Sequence, residues 1–364
     1  MSMNTQALSL PASHPLLQRQ QFERLTLAAL LALMVFVALL SIAIGPVPIP
    51  IADVLRTLAA LTGLPVAEVA PQHEAVIVSI RLPRTLLGLL VGAGLAVAGA
   101  AMQGLFRNPL ADPGLIGVSA GAALAAVSVI VLGGQGLAFL TQALGPFSLP
   151  IAAFIGGLLT TLLVYRLASR DGRVSVMTLL LAGIAINALA GAGTGLLTYL
   201  ADDQQLRTLT FWSMGSLGGA TWPAVGSAAL LIAVPLLALP LLARTLNALL
   251  LGEAEAGHLG IAVQRMQPLI VTLAALAVGA AVAVSGIIGF VGLVVPHLLR
   301  LALGPDHRLL LPGAALLGGS LLLLADLLAR TLVTPAELPI GILTALLGGP
   351  FFLALLLRWQ RQMR

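Results

Sequence analysis

The sequence predicts an all-α, polytopic membrane protein with ten membrane-spanning helices. Hydrophobic residues make up 59% of the 364-residue chain and charged residues only 9%, whereas soluble domains carry about 25% charged residues. Apolar runs of about 20 residues, long enough to cross a bilayer, recur along the whole chain. Turns rich in Pro, Gly and Arg separate these runs. The chain is therefore divided into spans rather than into soluble domains.

The elements follow in order from these runs. The polar segment 1–21 predicts a disordered cytoplasmic tail, and 359–364 a second short cytoplasmic tail. Between them, 22–358 forms one ten-span domain, which a polar interruption divides at 244–262. The predicted spans cover about 22–44, 84–104, 114–132, 149–168, 175–199, 224–243, 266–285, 287–302, 308–331 and 338–357. Short helices outside the spans are predicted near 51–62 and 204–215.

The second span has the clearest pattern. No side chain between Arg84 and Arg107 is charged, which predicts a single crossing. Small residues recur at every fourth position and predict a face for close helix packing; they are Gly88, Gly92, Ala96, Ala100 and Gly104. Proline punctuates other spans, and Pro296 is expected to break the short eighth span.

The arginines set the predicted orientation, because cytoplasmic segments carry an excess of basic residues. With a cytoplasmic N-terminus, 13 of the 18 arginines fall on inner segments and 5 on outer ones. The outer arginines are Arg56, Arg81, Arg84, Arg207 and Arg330. Both termini are therefore predicted to be cytoplasmic, which requires an even number of spans.

Composition excludes several functions. The chain has no cysteine, so thiolate metal sites and thiol nucleophiles are excluded. All basic residues are arginine, so the chain lacks the lysine of a phosphate-binding loop and cannot itself be an ATPase of that class. The arginines are scattered between apolar runs, which argues against nucleic-acid binding. HExxH and Ser-Lys constellations of intramembrane enzymes do not occur.

A secondary transporter driven by an ion gradient is one alternative class of function for this chain. It would need paired acids within the membrane, but Asp326 is the only acid well inside a span. Asp326 lies four residues before Arg330, which predicts a pair within one helix. His297 is interpreted either as a packed side chain or as a haem ligand.

Weak internal symmetry points to a transporter. The second span ends in AGAAMQGLFRNPLADP, and the seventh leads into SGIIGFVGLVVPHLLR. Both segments combine small residues, a Gly-rich bend, a proline and an arginine. They lie five spans apart, so the two five-helix halves would be inverted across the membrane, with the pathway at their interface.

Several short motifs, in this order, resemble the FecCD-type permeases. The motifs are Arg81-Leu-Pro-Arg84, Gly104 through Pro113, Leu179 through Gly183, Phe211-Trp-Ser-Met-Gly-Ser216, Gly286 through His297, Ala325 through Arg330, and Glu337-Leu-Pro-Ile-Gly341. The resemblance covers about residues 22–358. It implies the type II importer permease fold of ATP-binding-cassette (ABC) systems, in the bacterial inner membrane.

The resemblance also implies partners. Such permeases form a homodimer around a central pathway, with two ATPase subunits inside and a periplasmic substrate-binding protein outside. ATP would be used by the partner subunit, so the permease would be no enzyme and would hold no permanent cofactor. The lipid bilayer is a further expected partner, and nucleic acid is not an expected partner.

Roles for individual residues follow from the same resemblance. Arg81, Arg84 and Arg330 match arginines that dock on glutamates of the binding protein, although they can also be read as interfacial anchors. The loop implied to contact the ATPase contributes Glu253, Glu255, Gly257, His258 and Leu259. The implied cytoplasmic gate consists of Asn108, Leu110, Val176 and Met177, and Asn108 can equally be a turn residue before Pro109.

The motifs also bear on the cargo. The string from Phe211 to Trp222 looks most like haem-importing members of the family, and Arg207, just before it, could meet a haem propionate at the entrance. Haem is therefore the expected transported substrate. A ferric siderophore or cobalamin carried by the same architecture remains the alternative.

Overall fold

The computed structural model describes residues 14–65, 67–134, 136–170, 173–174, 176–333 and 336–362. It is almost entirely helical. The helices of the first half are α1 (His14–Ala43), α2 (Ile51–Leu61), α3 (Pro71–Val76), α4 (Leu82–Leu105), α5 (Val118–Leu132), α6 (Ala138–Leu144), α7 (Ser148–Ala168) and α8 (Val176–Leu200). Those of the second half are α9 (Asp203–Ser213), α10 (Trp222–Leu241), α11 (Ala243–Leu251), α12 (Glu253–His258), α13 (Val263–Ser285), α14 (Val291–Leu303), α15 (His307–Thr331) and α16 (Ile340–Gln362).

Short irregular elements join these helices. A π-helix at Ile77–Arg81 connects α3 to α4, and 3₁₀ turns at Pro113–Ile116 and Gly145–Phe147 precede α5 and α7. Strand β1 (Ser169–Arg170) pairs antiparallel with β2 (Arg173–Val174) between α7 and α8. The interfacial helix predicted near 51–62 is α2, and the one predicted near 204–215 is α9.

Each predicted span coincides with a helix. Within the described residues, seven helical stretches are long and apolar enough to cross a membrane, and three shorter apolar helices are Val118–Leu132, Val291–Leu303 and Ile340–Leu355. The all-helical membrane fold is thus confirmed, while the count of ten crossings stays a prediction. The first helix begins at His14, so 14–21 belongs to α1 and not to the predicted tail; residues 1–13 lie outside the described part.

Helix α4 forms the centre of the bundle. It packs against α15, α13, α10 and α14. Its predicted small-residue face lies on α15: a side chain added at Gly92 would meet the Gly318 carbonyl at 2.4 Å, and Gly318 itself lies against Ala96. On another side of α4, a side chain at Gly99 would stand 1.9 Å from the Gly292 carbonyl of α14. Packing in lipid relies on such close approach, since hydrophobic burial adds little between membrane helices.

Contrary to the prediction, Pro296 does not break the eighth span. Pro296 lies inside the continuous helix α14. A proline has no N–H for the carbonyl four residues before it, and here that carbonyl belongs to Gly292. The buried side chain of Gln103 donates to the Gly292 oxygen at 3.1 Å instead. A side chain from α4 therefore supplies the missing donor and lets the helix continue.

The π-helix before α4 is completed in the same way. In this register the N–H of Leu82 bonds to Ile77, five residues earlier. The next donor would be Pro83, which has no N–H, so the Val78 carbonyl would lack a partner. The indole N–H of Trp222, at the start of α10, donates to that oxygen at 3.0 Å.

Helices α4 and α13 run in opposite directions. The start of α4 lies beside Glu337, which bonds to Arg84. The end of α13 lies in the same region, since Ser285 accepts from the Ser216 amide beside the connection to α16. In addition, α4 packs on α14 and α15 while α13 packs on α5 and α7. This arrangement agrees with the predicted inverted halves.

Candidate functional site

The predicted outer end of the bundle holds a buried network centred on Arg84. The guanidinium of Arg84 donates through Nε and Nη2 to Asp326 of α15, at 3.0 and 2.8 Å. Through Nη1 and Nη2 it also donates to both carboxylate oxygens of Glu337, at 2.8 and 2.9 Å. Such bidentate pairs fix orientation as well as charge. Arg84 therefore ties α4 to α15 and to the connection before α16.

Arg81 and Arg330 bind neutral oxygens at the end of α1. Arg81 donates through Nη1 to the carbonyls of Ile42 and Ala43, both at 2.7 Å, and through Nη2 to that of Val47. Arg330 donates to the carbonyl and hydroxyl oxygens of Ser41 at 2.6 and 2.9 Å. The last carbonyls of a helix lack partners within the helix and carry partial negative charge. The two arginines thus cap α1.

The three arginines of the predicted docking site are all buried in this subunit. The exposed fractions of Arg81, Arg84 and Arg330 are only 3%, 7% and 3%, and each guanidinium already has partners within the chain. In this conformation the three side chains hold helices together. The predicted pair of Asp326 with Arg330 exists at 3.7 Å, but the closer partner of the buried Asp326 is Arg84, at 2.8 Å.

Three of the sequence motifs meet beside this network. The connection to α16 bonds to the end of α9, with the Ile340 amide donating to Gly215 at 3.1 Å and the Gly341 amide to Met214 at 3.0 Å. Gly286 lies so close that an added side chain would stand 2.1 Å from the Trp212 carbonyl. These strings, far apart in sequence, form one junction between α9, α13 and α16.

Glu337 is the partly exposed member of the outer network. Its side chain is 38% exposed, whereas that of Asp326 is fully buried. The hydrogen bonds from Arg84 lower the pKa of Glu337 below its ordinary value, against the opposing effect of burial. The carboxylate is therefore charged at neutral pH and remains reachable from outside the bundle.

At the opposite end, α11 is fastened to α15 by a polar clamp. Asn247 donates to Asp306 at 2.6 Å and accepts from the backbone amide of His307 at 2.9 Å. Burial acts to raise the pKa of Asp306, but hydrogen bonds from the Arg308 amide and Asn247 outweigh it and lower that pKa. This clamp fixes the helix that precedes the predicted ATPase-contact loop.

The predicted ATPase-contact residues lie together on α12 and just after it. Glu253, Glu255, Gly257, His258 and Leu259 are all exposed. Glu253 accepts from Gln267 of α13 at 2.8 Å, which anchors the start of the helix. A crevice of about 560 Å³ opens between α12 and the start of α13. The structure thus presents these groups at the surface.

The predicted gate residues lie in the turn after α4 and at the start of α8. Asn108 and Leu110 are exposed in the turn after α4, where the Asn108 side chain accepts from the Leu110 amide at 2.9 Å. This bond supports the interpretation of Asn108 as a turn residue. Met177 is 73% exposed near the start of α8. Val176 begins α8, and its side chain lies outside the described part.

The turn after α4 is seated on α8. A side chain added at Gly183 would stand 2.0 Å from the Leu115 carbonyl, and one turn later Asn187 donates to the Gly114 carbonyl at 3.3 Å. Burial raises the pKa of Asp112 in this turn, and the hydrogen bond from the Gly114 amide partly opposes it. The turn with Asn108 and Leu110 is therefore packed on the helix that begins with Val176 and Met177.

The remaining candidates are Arg207 and His297. Arg207 is exposed on α9, whose first turn is held by a capping box formed by Asp202 and Gln205. His297 is 7% exposed and packs edge-on against Phe351, with ring centroids 5.7 Å apart. This burial and ring contact support the interpretation of His297 as a packed side chain.

Sequence reasoning missed the partners of the arginines. Glu337 was noted only as part of a motif, and the pairing of Arg84 with Asp326 joins positions 242 residues apart. The one signal available in the sequence was the balance of charges. Two acids, Asp326 and Glu337, lie near the outer ends of spans that also carry three arginines. Trp222 and Gln103 were also missed as donors, although a proline within an apolar run requires a donor from elsewhere.

Comparison with known proteins identifies relatives over most of the chain. A family model described as the FecCD transport family matches residues 33–358. The chain is 54% identical to the hemin transport system permease protein of Yersinia pestis over 293 residues, which are 78% of this chain and 84% of that protein. It is 41% identical to the cobalamin import system permease protein of Halobacterium salinarum over 363 residues, 90% of this chain and 95% of that protein.

A vitamin B12 import system permease protein of Escherichia coli is 45% identical over 291 residues, 80% of this chain and 86% of that protein. Among solved structures, an inward-facing conformation of a metal-chelate type ABC transporter matches with a TM-score of 0.78 and 35% identity. That match covers 91% of this chain and 98% of the other.

Proposed function

The chain belongs to the FecCD transport family, and we propose that it is the membrane-spanning permease subunit of an ABC importer that moves haem from a periplasmic binding protein into the cytoplasm. The observation that carries the cargo assignment is the higher identity to a hemin permease than to the cobalamin permeases. The multi-pass helical structure suits the role of a conduit.

The proposed assembly contains two copies of this chain, two ATPase subunits and one external binding protein, in the bacterial inner membrane. The termini are placed in the cytoplasm on the distribution of arginines. The open face of α8, with exposed Leu181, Ile184 and Leu189, supports a second copy, since the pathway of such a dimer lies between subunits. ATP is used by the ATPase, so this subunit has no catalytic residue.

Coupling to the ATPase is assigned to α12. Exposed Glu253 and Glu255 on a short helix offer negative charge to basic or backbone donors of a partner. The Asn247 clamp holds the preceding helix α11 on α15. A movement of α12 is therefore transmitted through α11 to the core of the bundle. Deleting 253–258 should release the ATPase during co-purification, while the permease itself remains folded.

The gate is assigned to the turn after α4 together with the start of α8. Asn108 and Leu110 form one side, and Val176 and Met177 form the other. The contacts of this turn with Gly183 and Asn187 of α8 support a joint movement of the turn and the start of α8. Ion-coupled transport has less support, because Asp326, the fully buried acid of α15, is neutralised by Arg84 and makes a poor relay.

The entrance is assigned to Arg207. Its exposed guanidinium can meet a propionate carboxylate in bidentate geometry. We expect Arg207→Ala to slow haem uptake while leaving stimulation of the ATPase intact. Uptake equal to that of the wild-type protein would remove Arg207 from the entrance.

The deciding experiment is reconstitution of the permease with its ATPase in liposomes. Binding proteins loaded with haem, a ferric siderophore or cobalamin are added in turn, and ATP hydrolysis and cargo uptake are measured. Haem-dependent uptake is expected. Uptake of cobalamin or a siderophore in its place would keep the architecture and replace the cargo, whereas uptake driven by an ion gradient without ATPase would overturn the function.

A further inference from the structure

The turn after α4 carries an arginine where the backbone favours glycine. Arg107 has a φ of 52°, in the left-handed region that side chains other than glycine rarely adopt. Its amide donates to the Gly104 carbonyl at 3.2 Å, and the amide of Asn108 donates to the Gln103 carbonyl at 3.1 Å. These two bonds form a Schellman motif, in which the left-handed position is usually glycine. Glycine would make this turn with less strain, so the arginine side chain calls for an explanation.

The guanidinium of Arg107 reaches the start of α12. Gly252, which directly precedes that helix, is buried and has a φ of 129°, a conformation suited to glycine. A side chain added at Gly252 would collide with the carboxylate of Glu255, and Nη1 of Arg107 lies 3.9 Å from the same point. The absence of a side chain at Gly252 therefore lets a cation of the turn and an anion of α12 approach from two sides.

The two acids of α12 have different neighbours. Glu253 accepts from Gln267 of α13 at 2.8 Å, which fastens the start of the helix to α13. The carboxylate of Glu255 instead folds back over Gly252, toward the turn after α4. Glu255 is therefore the acid of α12 that is placed to act on the central helix.

Arg107 and Glu255 are adjacent but not closed into a pair. Both residues are exposed, and among the described residues they form no ion pair with each other in this conformation. An exposed pair adds little to the stability of a fold. A pair that forms in only one of two conformations nevertheless favours that conformation. The two charges can thus bias the position of the turn without being needed for folding.

We propose that Arg107 is a positioning residue that couples α12 to the cytoplasmic gate. Its guanidinium pairs with Glu255 when the ATPase shifts α12 toward α4, and the turn that carries Asn108 and Leu110 follows this movement. The inference rests on the proposed function, since it requires both an ATPase and a gate. It also explains the strained backbone, because the side chain needed for the pair stands at a position where glycine would make the easier turn.

The first test measures the haem imported for each ATP hydrolysed by the permease–ATPase complex in liposomes. Arg107→Gly relieves the backbone, so the variant should unfold at the same or a higher temperature than the wild-type protein. The haem imported per ATP should nevertheless fall about two- to fivefold. Arg107→Lys keeps the charge and should retain a ratio near that of the wild-type protein. Arg166→Ala, which removes an exposed arginine from the last turn of α7, is the control and should leave the ratio unchanged.

Two outcomes of this test overturn the proposal. One is an Arg107→Gly variant that imports as much haem per ATP as the wild-type protein, since the side chain would then have no part in coupling. The other is loss of the ATPase from this variant during co-purification, which would place Arg107 at the ATPase contact instead.

The second test exchanges the two charges. Arg107→Glu and Glu255→Arg each bring like charges together, and each should lower the haem imported per ATP. The double variant restores opposite charges and should recover a ratio above that of either single variant. Losses that simply add in the double variant contradict the pair. A wild-type complex that neither hydrolyses ATP nor imports haem in response to any loaded binding protein overturns the proposed function itself.

Discussion

Helices α4 and α8 are similar in length and composition but occupy opposite environments. Almost every residue of α4 is buried, and α4 contacts α10, α13, α14 and α15. Within the described residues, the main contacts of helix α8 are with α5, α7 and the 3₁₀ turn before α5, and much of its surface is exposed. Both helices are rich in glycine, so glycine content alone does not tell which helix is central.

The difference lies in what the glycines face. On α4, Gly92 and Gly99 lie against backbone carbonyls of other helices. On α8, Gly183 also lies against a carbonyl, that of Leu115, but a side chain added at Gly191 or Gly195 would meet no described heavy atom within 4 Å. Small residues in membrane helices permit close approach, so we expect a surface from outside this subunit to approach α8. The central helix is packed within one chain, whereas α8 keeps an open face.

The largest expected effect comes from breaking the ion pair at the start of α4. Arg84→Ala leaves Asp326 buried without its close partner, which should cost about 3–5 kcal/mol in the free energy of unfolding. Unfolding of the purified subunit in detergent measures this. Arg207→Ala is the matched control, an exposed arginine expected to change stability by less than about 0.5 kcal/mol. Similar stability of both variants would show that Arg84 does not hold the bundle.

A smaller effect separates the glycines of the two helices. Gly99→Ala places a methyl group against the Gly292 carbonyl, and such overpacking costs about 1–3 kcal/mol. Gly191→Ala on α8 should leave the isolated subunit as stable as the wild-type protein. Because we expect a second copy to cover α8, the same Gly191 variant should weaken the dimer, which analytical ultracentrifugation in detergent detects. An unaffected dimer would mean that α8 is covered by lipid.

The polar attachment of α8 should matter still less for stability. Asn187→Ala removes one hydrogen bond to Gly114, worth about 0.5–1.5 kcal/mol. We expect a larger effect on transport than on stability, because the turn with Asn108 loses one of its contacts with α8. More ATP should then be hydrolysed for each haem imported. Thr194→Ala, on the same helix, is the control, and an unchanged ratio in Asn187→Ala argues against a seated gate.

The smallest effect is the pH dependence of the outer network. Because Arg84 lowers the pKa of Glu337, this pair stabilises the fold above the ordinary glutamate pKa of about 4.3. That stabilisation is lost as the pH falls through the lower folded-state pKa. The loss should be below about 1 kcal/mol, since the pair is partly exposed. Glu337→Gln should lack this part of the acid dependence when unfolding is followed between pH 3 and 6, a range chosen around the unfolded-state value.

The helices were predictable because apolar runs and small-residue spacing are local signals. The face with Gly92 and Ala96 was predicted from spacing alone and packs on α15. Arg84 was predicted to dock on the binding protein or to anchor at the interface; its pairing with Asp326 was not predictable, because its position at the end of a span says nothing of acids hundreds of residues away. Pro296 was predicted to break its helix, since the rescue by Gln103 depends on tertiary structure. Residues whose role depends on a distant partner were the ones that local pattern could not place.

The pairing of Arg84 with Asp326 also has a consequence for biosynthesis. The two residues are 242 positions apart, so Arg84 leaves the ribosome long before its counter-ion is made. Until α15 is delivered, a bare guanidinium in the lipid interior is unfavourable, and the nascent α4 must hold it at the headgroup level. We therefore expect the final depth of this central helix to be set late, after α15 has been inserted.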